Sequence, residues 1–243
     1  MPKTLAWFSC GAASAVASKL AVEKYGDSCE VVYCWTMPTE HPDNRRFFED
    51  VQSWLGRKIT VLKSDKYVTV DEVFEKTRYM AGISGARCTS EMKKVPRKRY
   101  ALPEDLHVFG FTLEETKRIS NFEENNPSLA CDWLLRDQRI TKGECLLRLQ
   151  EAGIAPPVLY SLGYKNNNCL GCVNATSARY WNMVRRDFPE VFERRVQQSR
   201  ALGVRLTRYQ GKRIFLDELP EGYMSGELEN ISCGPDCGDT GKT

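Results

Sequence analysis

Nowhere in the 243-residue chain does an apolar run reach the roughly 18 residues that a membrane-spanning helix needs. Residues 1–20, MPKTLAWFSCGAASAVASKL, also lack a basic start followed by a long apolar stretch, so no secretory leader is read there. A soluble, cytoplasmic protein without a membrane partner is the expectation. Charge of one sign is lacking too. Lys+Arg 35 against Asp+Glu 32 leaves a formal +3, too little to announce a nucleic-acid or membrane-surface protein. Internal repeats and low-complexity tracts are absent, and 42% hydrophobic residues exclude disorder, collagen and coiled coil as whole-chain descriptions. The length suits one large domain, or one domain with an appendage.

Cysteine, by contrast, is abundant: there are ten. A chain of this length does not need disulfide staples to fold, and the expected compartment is reducing. Metal ligation, thiol catalysis and ordinary buried thiols are the readings that remain.

In the first half, short apolar runs alternate with amphipathic stretches, the pattern of an open, mostly parallel α/β sheet covered by helices. Strands are expected at 4–8, 30–35, 58–62 and 107–111, with helices at 12–24 and 42–55. An insertion, 64–105, separates the third strand from the fourth and carries a helix near 70–79 and a basic stretch at its end. Thr141 and Glu144 form a capping box before a helix that Gly153 and Pro156-Pro157 terminate. Helices at 178–187 and 189–203 and a small hairpin turning at Gln210-Gly211 follow. The expected division is a nucleotide-binding α/β domain over 1–155, a cysteine-bearing helical region with the hairpin over 156–219, and a mobile, cysteine-containing tail over 220–243.

The segment FSCGAASAV follows a strand and opens a helix, so its backbone N–H groups can receive an anion. Ser9, Gly11 and Ser14 are the residues of interest, because small side chains let backbone approach a phosphate or sulfate and hydroxyls can donate to it. Ser9, Cys10, Gly11, Ala12, Ala13 and Ser14 together resemble the PP-loop of the adenine nucleotide alpha-hydrolase-like superfamily, Ser-Gly-Gly-x-Asp-Ser, with Ala13 at the aspartate position. Thr39–Asp43, with Glu40 and His41, resembles the Glu-His-Pro-Glu segment of that superfamily's phosphoadenylyl-sulfate reductase branch. Gly110–Arg118, with Glu115 and Arg118, is similar to its Gly-x-Arg-x-x-Glu-Ser-x-x-Arg stretch. The run LYSLGY, 159–164, is similar to its lead-in to a cysteine pair. These segments occur in the family's order at strand ends, where such sheets bind ligands.

The resemblance implies an adenine-nucleotide site that includes Lys93 and Lys94 from the basic stretch, and a thiol-dependent reduction of an adenosine phosphosulfate to sulfite. Cys233-Gly234 resembles the family's nucleophilic Cys-Gly, which makes Cys233 the catalytic candidate and a thioredoxin-like dithiol the reductant.

Cys169-Leu170-Gly171-Cys172 has ligand spacing. With Cys88, and with Cys237 as fourth ligand, it resembles the 4Fe-4S set of the iron-sulfur reductases. A zinc site built from Cys169, Cys172, Cys233 and Cys237 is the alternative. Two further functions stay open: an iron-sulfur PP-loop sulfur transferase acting on RNA or a nucleobase, and a zinc-stabilised nucleotide- or nucleic-acid-binding module. Nucleic acid is the less favoured partner, and a homodimer stays open as well. Cys29, Cys34, Cys131 and Cys145 are expected to be structural thiols.

Overall fold

The computed structural model describes residues 2–82 and 85–231. Strand β1 (Thr4–Phe8) is buried along its whole length and lies at the centre of a five-stranded sheet. It pairs in parallel with β2 (Cys29–Cys34) on one side and β6 (Leu106–Phe109) on the other, Thr4 facing Cys29 and Leu106. β3 (Thr60–Leu62) and β7 (Ala130–Asp132) form the edges, giving the order β3-β2-β1-β6-β7. Between β3 and β6 lies a short antiparallel pair, β4 (Ala81–Gly82) with β5 (Gly85–Ala86). β8 (Thr207–Tyr209) and β9 (Lys212–Ile214) make the expected hairpin, whose turn residues Gln210 and Gly211 both have positive φ, as a two-residue turn requires.

Eleven α-helical stretches fall among the described residues: α1 (Ala12–Tyr25), α2 (Asn44–Leu55), α3 (Val70–Thr77), α4 (Arg87–Thr89), α5 (Val95–Tyr100), α6 (Thr116–Asn125), α7 (Leu134–Asp137), α8 (Lys142–Glu151), α9 (Val158–Ser161), α10 (Ala178–Asp187) and α11 (Pro189–Leu202). None is long and apolar enough to cross a membrane. Between α4 and α5 the chain widens to π geometry over Ser90–Lys94, a distortion frequent at functional sites.

Alternation along the strands sorts side chains to two faces. Ala6, Phe8, Val31, Tyr33 and Val108 pack with Val16, Val51 and Leu149 of α1, α2 and α8. Leu5, Trp7, Val32 and Phe109 face the other way, onto an aromatic layer of Phe111, Phe122 and Trp133. A third core is built by the insertion and the C-terminal part together, since Val73, Phe74, Met80 and Met92 cluster with Trp181, Phe192 and Leu216.

The α/β class and the parallel sheet therefore stand as expected, with differences in detail, the third strand beginning only at Thr60. β7 was not anticipated, and the strand expected over 107–111 ends at Phe109. The tail expected from residue 220 has fixed contacts as far as Ile231. Tyr223 meets Tyr209 edge to face, the Glu229 carboxylate accepts from the Thr176 N–H at 2.7 Å, and Ile231 is buried.

Candidate functional site

The chain leaves β1 at Phe8 and enters α1 at Ala12, so only three residues make the turn. Cys10 takes the left-handed conformation there, φ 56°, and Gly11 caps the helix. The Ser14 hydroxyl sits in the middle of the turn. It accepts from the N–H of Ser9 at 3.0 Å and of Gly11 at 3.3 Å, and donates to the Gly11 carbonyl at 2.9 Å. The exit of β6 presses against this turn from the side: a Cβ on Gly110 would lie 2.6 Å from both Cα and N of Ser14. Position 110 thus has room for glycine alone.

β1 and β6 are the neighbours at which the sheet's connections reverse direction, which is where open α/β sheets leave a crevice for ligands. A cleft of about 600 Å³ opens there. Ser9, Gly11, Ala13 and Ser14 line it from the loop, and Gly110, Glu115 and Arg118 from the β6 side. Glu40, Lys93 and Cys169 are the further sequence-nominated residues that meet in this one space. Cys10 and Ala12 are buried behind it, the Ala12 N–H donating to the Tyr160 hydroxyl at 3.3 Å. His41 and Lys94 are not among the lining residues. The His41 ring rests on Phe188, its Nδ1 accepting from the Asp43 N–H.

Arg118 stacks its guanidinium 4.0 Å from the centre of the Phe111 ring and pairs with Glu115 at 2.6 Å. Lys142, which sequence reading passed over, lines the same cleft. Its ammonium donates to the Lys165 carbonyl and, at 2.6 Å, to Asn166 Oδ1. Burial holds its pKa below the ordinary lysine value, partly offset by Glu115 and Glu114. Lys93, Arg118, Lys142 and Lys165 thus bring four cationic side chains to the cleft, beside the carboxylates Glu40, Glu114 and Glu115. The Cys10 thiol is pushed well up by burial and then by Glu40, so the loop cysteine stays protonated at neutral pH. Glu114, Tyr160, Lys165, Asn167, Asn230 and Ile231 are among the other lining residues that sequence reading did not nominate.

Cys169 also borders the cleft, with the Thr39 hydroxyl donating to its sulfur at 3.5 Å. Cys88 and Cys172 are buried in the third core, against which Cys169 packs. The turn between the pair is held by the Tyr180 hydroxyl, which accepts from Cys172 N–H at 2.8 Å, and by Arg195 Nε, which donates to the Gly171 carbonyl at 3.0 Å. Among the described residues no three His, Cys, Asp or Glu side chains lie close enough to hold a metal ion. Cys233 and Cys237 lie outside the described residues. Of the four expected structural thiols, Cys29, Cys34 and Cys145 are buried. Burial raises the first two to about 11 and the third to about 12.

Compared with protein-family models and with curated proteins, the chain matches none.

Proposed function

We propose that the cleft binds an adenosine phosphosulfate and that the protein reduces it to sulfite with an external dithiol of the thioredoxin type. One observation carries this reading: a small-residue strand-to-helix turn, Lys93, Arg118 and Lys142 all open onto one cleft at the β1–β6 switch. The small side chains of the loop, which let a ligand approach the start of α1, and these three cations meet the needs of a nucleotide's phosphate and sulfate oxygens. In the sequence Cys233 follows, by two positions, Ile231, a lining residue of the same cleft.

The Cys233 thiolate attacks the sulfate sulfur. A sulfur–sulfur bond forms, the sulfur–oxygen bond to the phosphate breaks, and the nucleotide departs with the electron pair. One thiolate of the dithiol then attacks the Cys233 sulfur and expels sulfite. Its second thiol closes a disulfide and returns Cys233, so the dithiol supplies both electrons. Lys93, Arg118 and Lys142 offset the charge that gathers on the leaving phosphate. No step is routed through a metal cluster, because the cysteines among the described residues do not themselves form a ligand set.

The test is anaerobic incubation with adenosine 5′-phosphosulfate, or its 3′-phosphorylated form, plus a dithiol donor. Sulfite release that Cys233→Ser abolishes is the expected result. No sulfite from either substrate, or full activity in Cys233→Ser, overturns the reading. The position of Cys169 on the cleft wall favours a second reading, an iron-sulfur sulfur transferase, which turnover of ATP together with bound iron and sulfide would select.

A further inference from the structure

Behind the anion-binding turn runs a chain of buried hydrogen bonds that the proposed chemistry does not use. Glu40 Oε1 accepts from the Tyr33 hydroxyl at 3.0 Å and from the Thr36 hydroxyl. Its other oxygen, Oε2, accepts from Asn44 Nδ2 at 2.7 Å. Asn44 Oδ1 in turn accepts from Asn167 Nδ2 at 2.8 Å, and the same Nδ2 donates to the Cys10 carbonyl at 2.6 Å. Both amide orientations are thereby fixed. Reversing Asn44 would set oxygen against the Glu40 carboxylate, and reversing Asn167 would set oxygen against two oxygens.

With both hydrogens of Asn167 Nδ2 committed, only its Oδ1 is left over. This oxygen has no hydrogen-bond partner, although Asn167 is 6% exposed and borders the cleft. A buried acceptor left unpaired costs free energy and asks for an explanation. Two features say what would satisfy it. Glu40 also borders the cleft, so this wall carries an anionic residue that disfavours a ligand's phosphate or sulfate. Of the cations, Lys93, Arg118 and Lys142 come from other elements and suit the anionic end of the ligand, while Lys165 lies on the same loop as Asn167.

We propose that Asn167 is a specificity-determining residue whose Oδ1 accepts a hydrogen bond from a neutral donor of the nucleoside part of the ligand, a ribose hydroxyl or the base amino group. This rests on the reading of the cleft as an adenine-nucleotide site. Phosphate and sulfate, which are acceptors, are excluded from this point. The Glu40–Asn44–Asn167 chain fixes the orientation of the acceptor, and since Oδ1 itself is sealed from solvent, the wall over it gives way as the donor arrives. A site built around a committed acceptor discriminates sharply against an analogue that lacks the matching donor.

The experiment is calorimetric titration of the full chain with adenosine 5′-monophosphate, its 2′-deoxy and 3′-deoxy analogues, and purine riboside 5′-monophosphate. The wild type should bind one of the three analogues at least about tenfold more weakly than the parent, and that analogue identifies the donor. Asn167→Leu should bind the parent and that analogue alike. A crystal structure of the wild-type complex, which does not depend on the variant folding, should put the donor within hydrogen-bond distance of Oδ1. Equal binding of all four nucleotides by the wild type, full discrimination by a folded Asn167→Leu, or a complex with water alone on Oδ1 overturns the proposal and leaves the nucleotide site standing. No binding of any of the four defeats both.

Discussion

At the scale of single residues, the site depends on how closely backbone can approach backbone. Gly110 meets the first turn of α1 with no space for a methyl group, so Gly110→Ala must push β6 and the loop apart. The expected cost is roughly 1–3 kcal/mol by urea unfolding, the range for forced overpacking, with weakened binding of adenosine 5′-monophosphate in the same preparation. His107 makes a different kind of prediction. It is 1% exposed, stacks on Trp7 and accepts from the Trp7 indole N–H at 2.9 Å. Burial, with Arg97 adding to it, lowers its pKa from 6.5 to about 4. The unfolded chain therefore takes up a proton at this position before the folded one does. Its contribution is intact above about pH 6.5 and fades as pH falls toward 4, up to about 3 kcal/mol in all. His107→Gln keeps an acceptor for Trp7 and should flatten the urea midpoint between pH 7 and pH 4.5. An unchanged slope in that variant would assign the pH dependence elsewhere.

Sequence reading at this scale caught residues that announce themselves by type and neighbours. Ser9, Gly11, Ser14 and Gly110 cluster at strand ends, whereas Asn167 and Lys142 carry no local signature. Lys142 looks like an ordinary first-turn residue of a capped helix, and only the tertiary fold turns it into the cleft. The Asn166-Asn167-Asn168 run immediately before Cys169 was the available signal for the first of them.

Elements were legible where period and punctuation agreed. α10 occupies the expected span, and the capping box of α8 is present, with the Thr141 hydroxyl accepting from the Glu144 N–H. β7 escaped because it is three residues long, lies at the sheet edge and leaves its side chains partly exposed, so it has no alternation to read. Nor could sequence show that the insertion helix α3 belongs with α11, because that link is tertiary apolar packing of Val73 and Phe74 with Phe192 together with an ion pair, not a local pattern. Arg195, 1% exposed, reaches Asp71 of α3 and, through Nε, the carbonyl of the Cys-x-x-Cys turn. Burial raises the Asp71 pKa, but Arg195 and Arg194 outweigh it and hold the carboxyl below its ordinary value. Asp71→Asn leaves Arg195 charged and poorly compensated in the third core. A loss of about 3 kcal/mol on urea unfolding is expected, with increased accessibility of Cys169 and Cys172 to a thiol reagent. A change below about 0.5 kcal/mol would place this pair with ordinary surface bridges.

On the scale of the whole molecule, the segment 220–231 is structure rather than appendage. Asn182 donates to the Pro220 and Tyr223 carbonyls, each at 2.9 Å, and Asn166 and Asn168 both donate to the Ile231 carbonyl. Truncation after Leu219 should lower the melting temperature, because the third core loses Tyr223, Leu228 and Ile231. A truncated chain that melts with the intact one would show these contacts to be inconsequential. The overall charge balance hid this arrangement. The segment expected to be a mobile tail is anchored by Glu229 on Thr176, and its packing depends on side-chain detail that composition does not encode.

The cleft draws its walls from residues 7–14 and, far along the chain, from Asn230 and Ile231. During synthesis, all five strands of the sheet leave the ribosome well before those last residues do, since β7 ends at Asp132. A nascent chain can therefore hold a finished sheet and an unfinished pocket at the same time. Whatever binds there meets a complete site only once translation has passed Ile231.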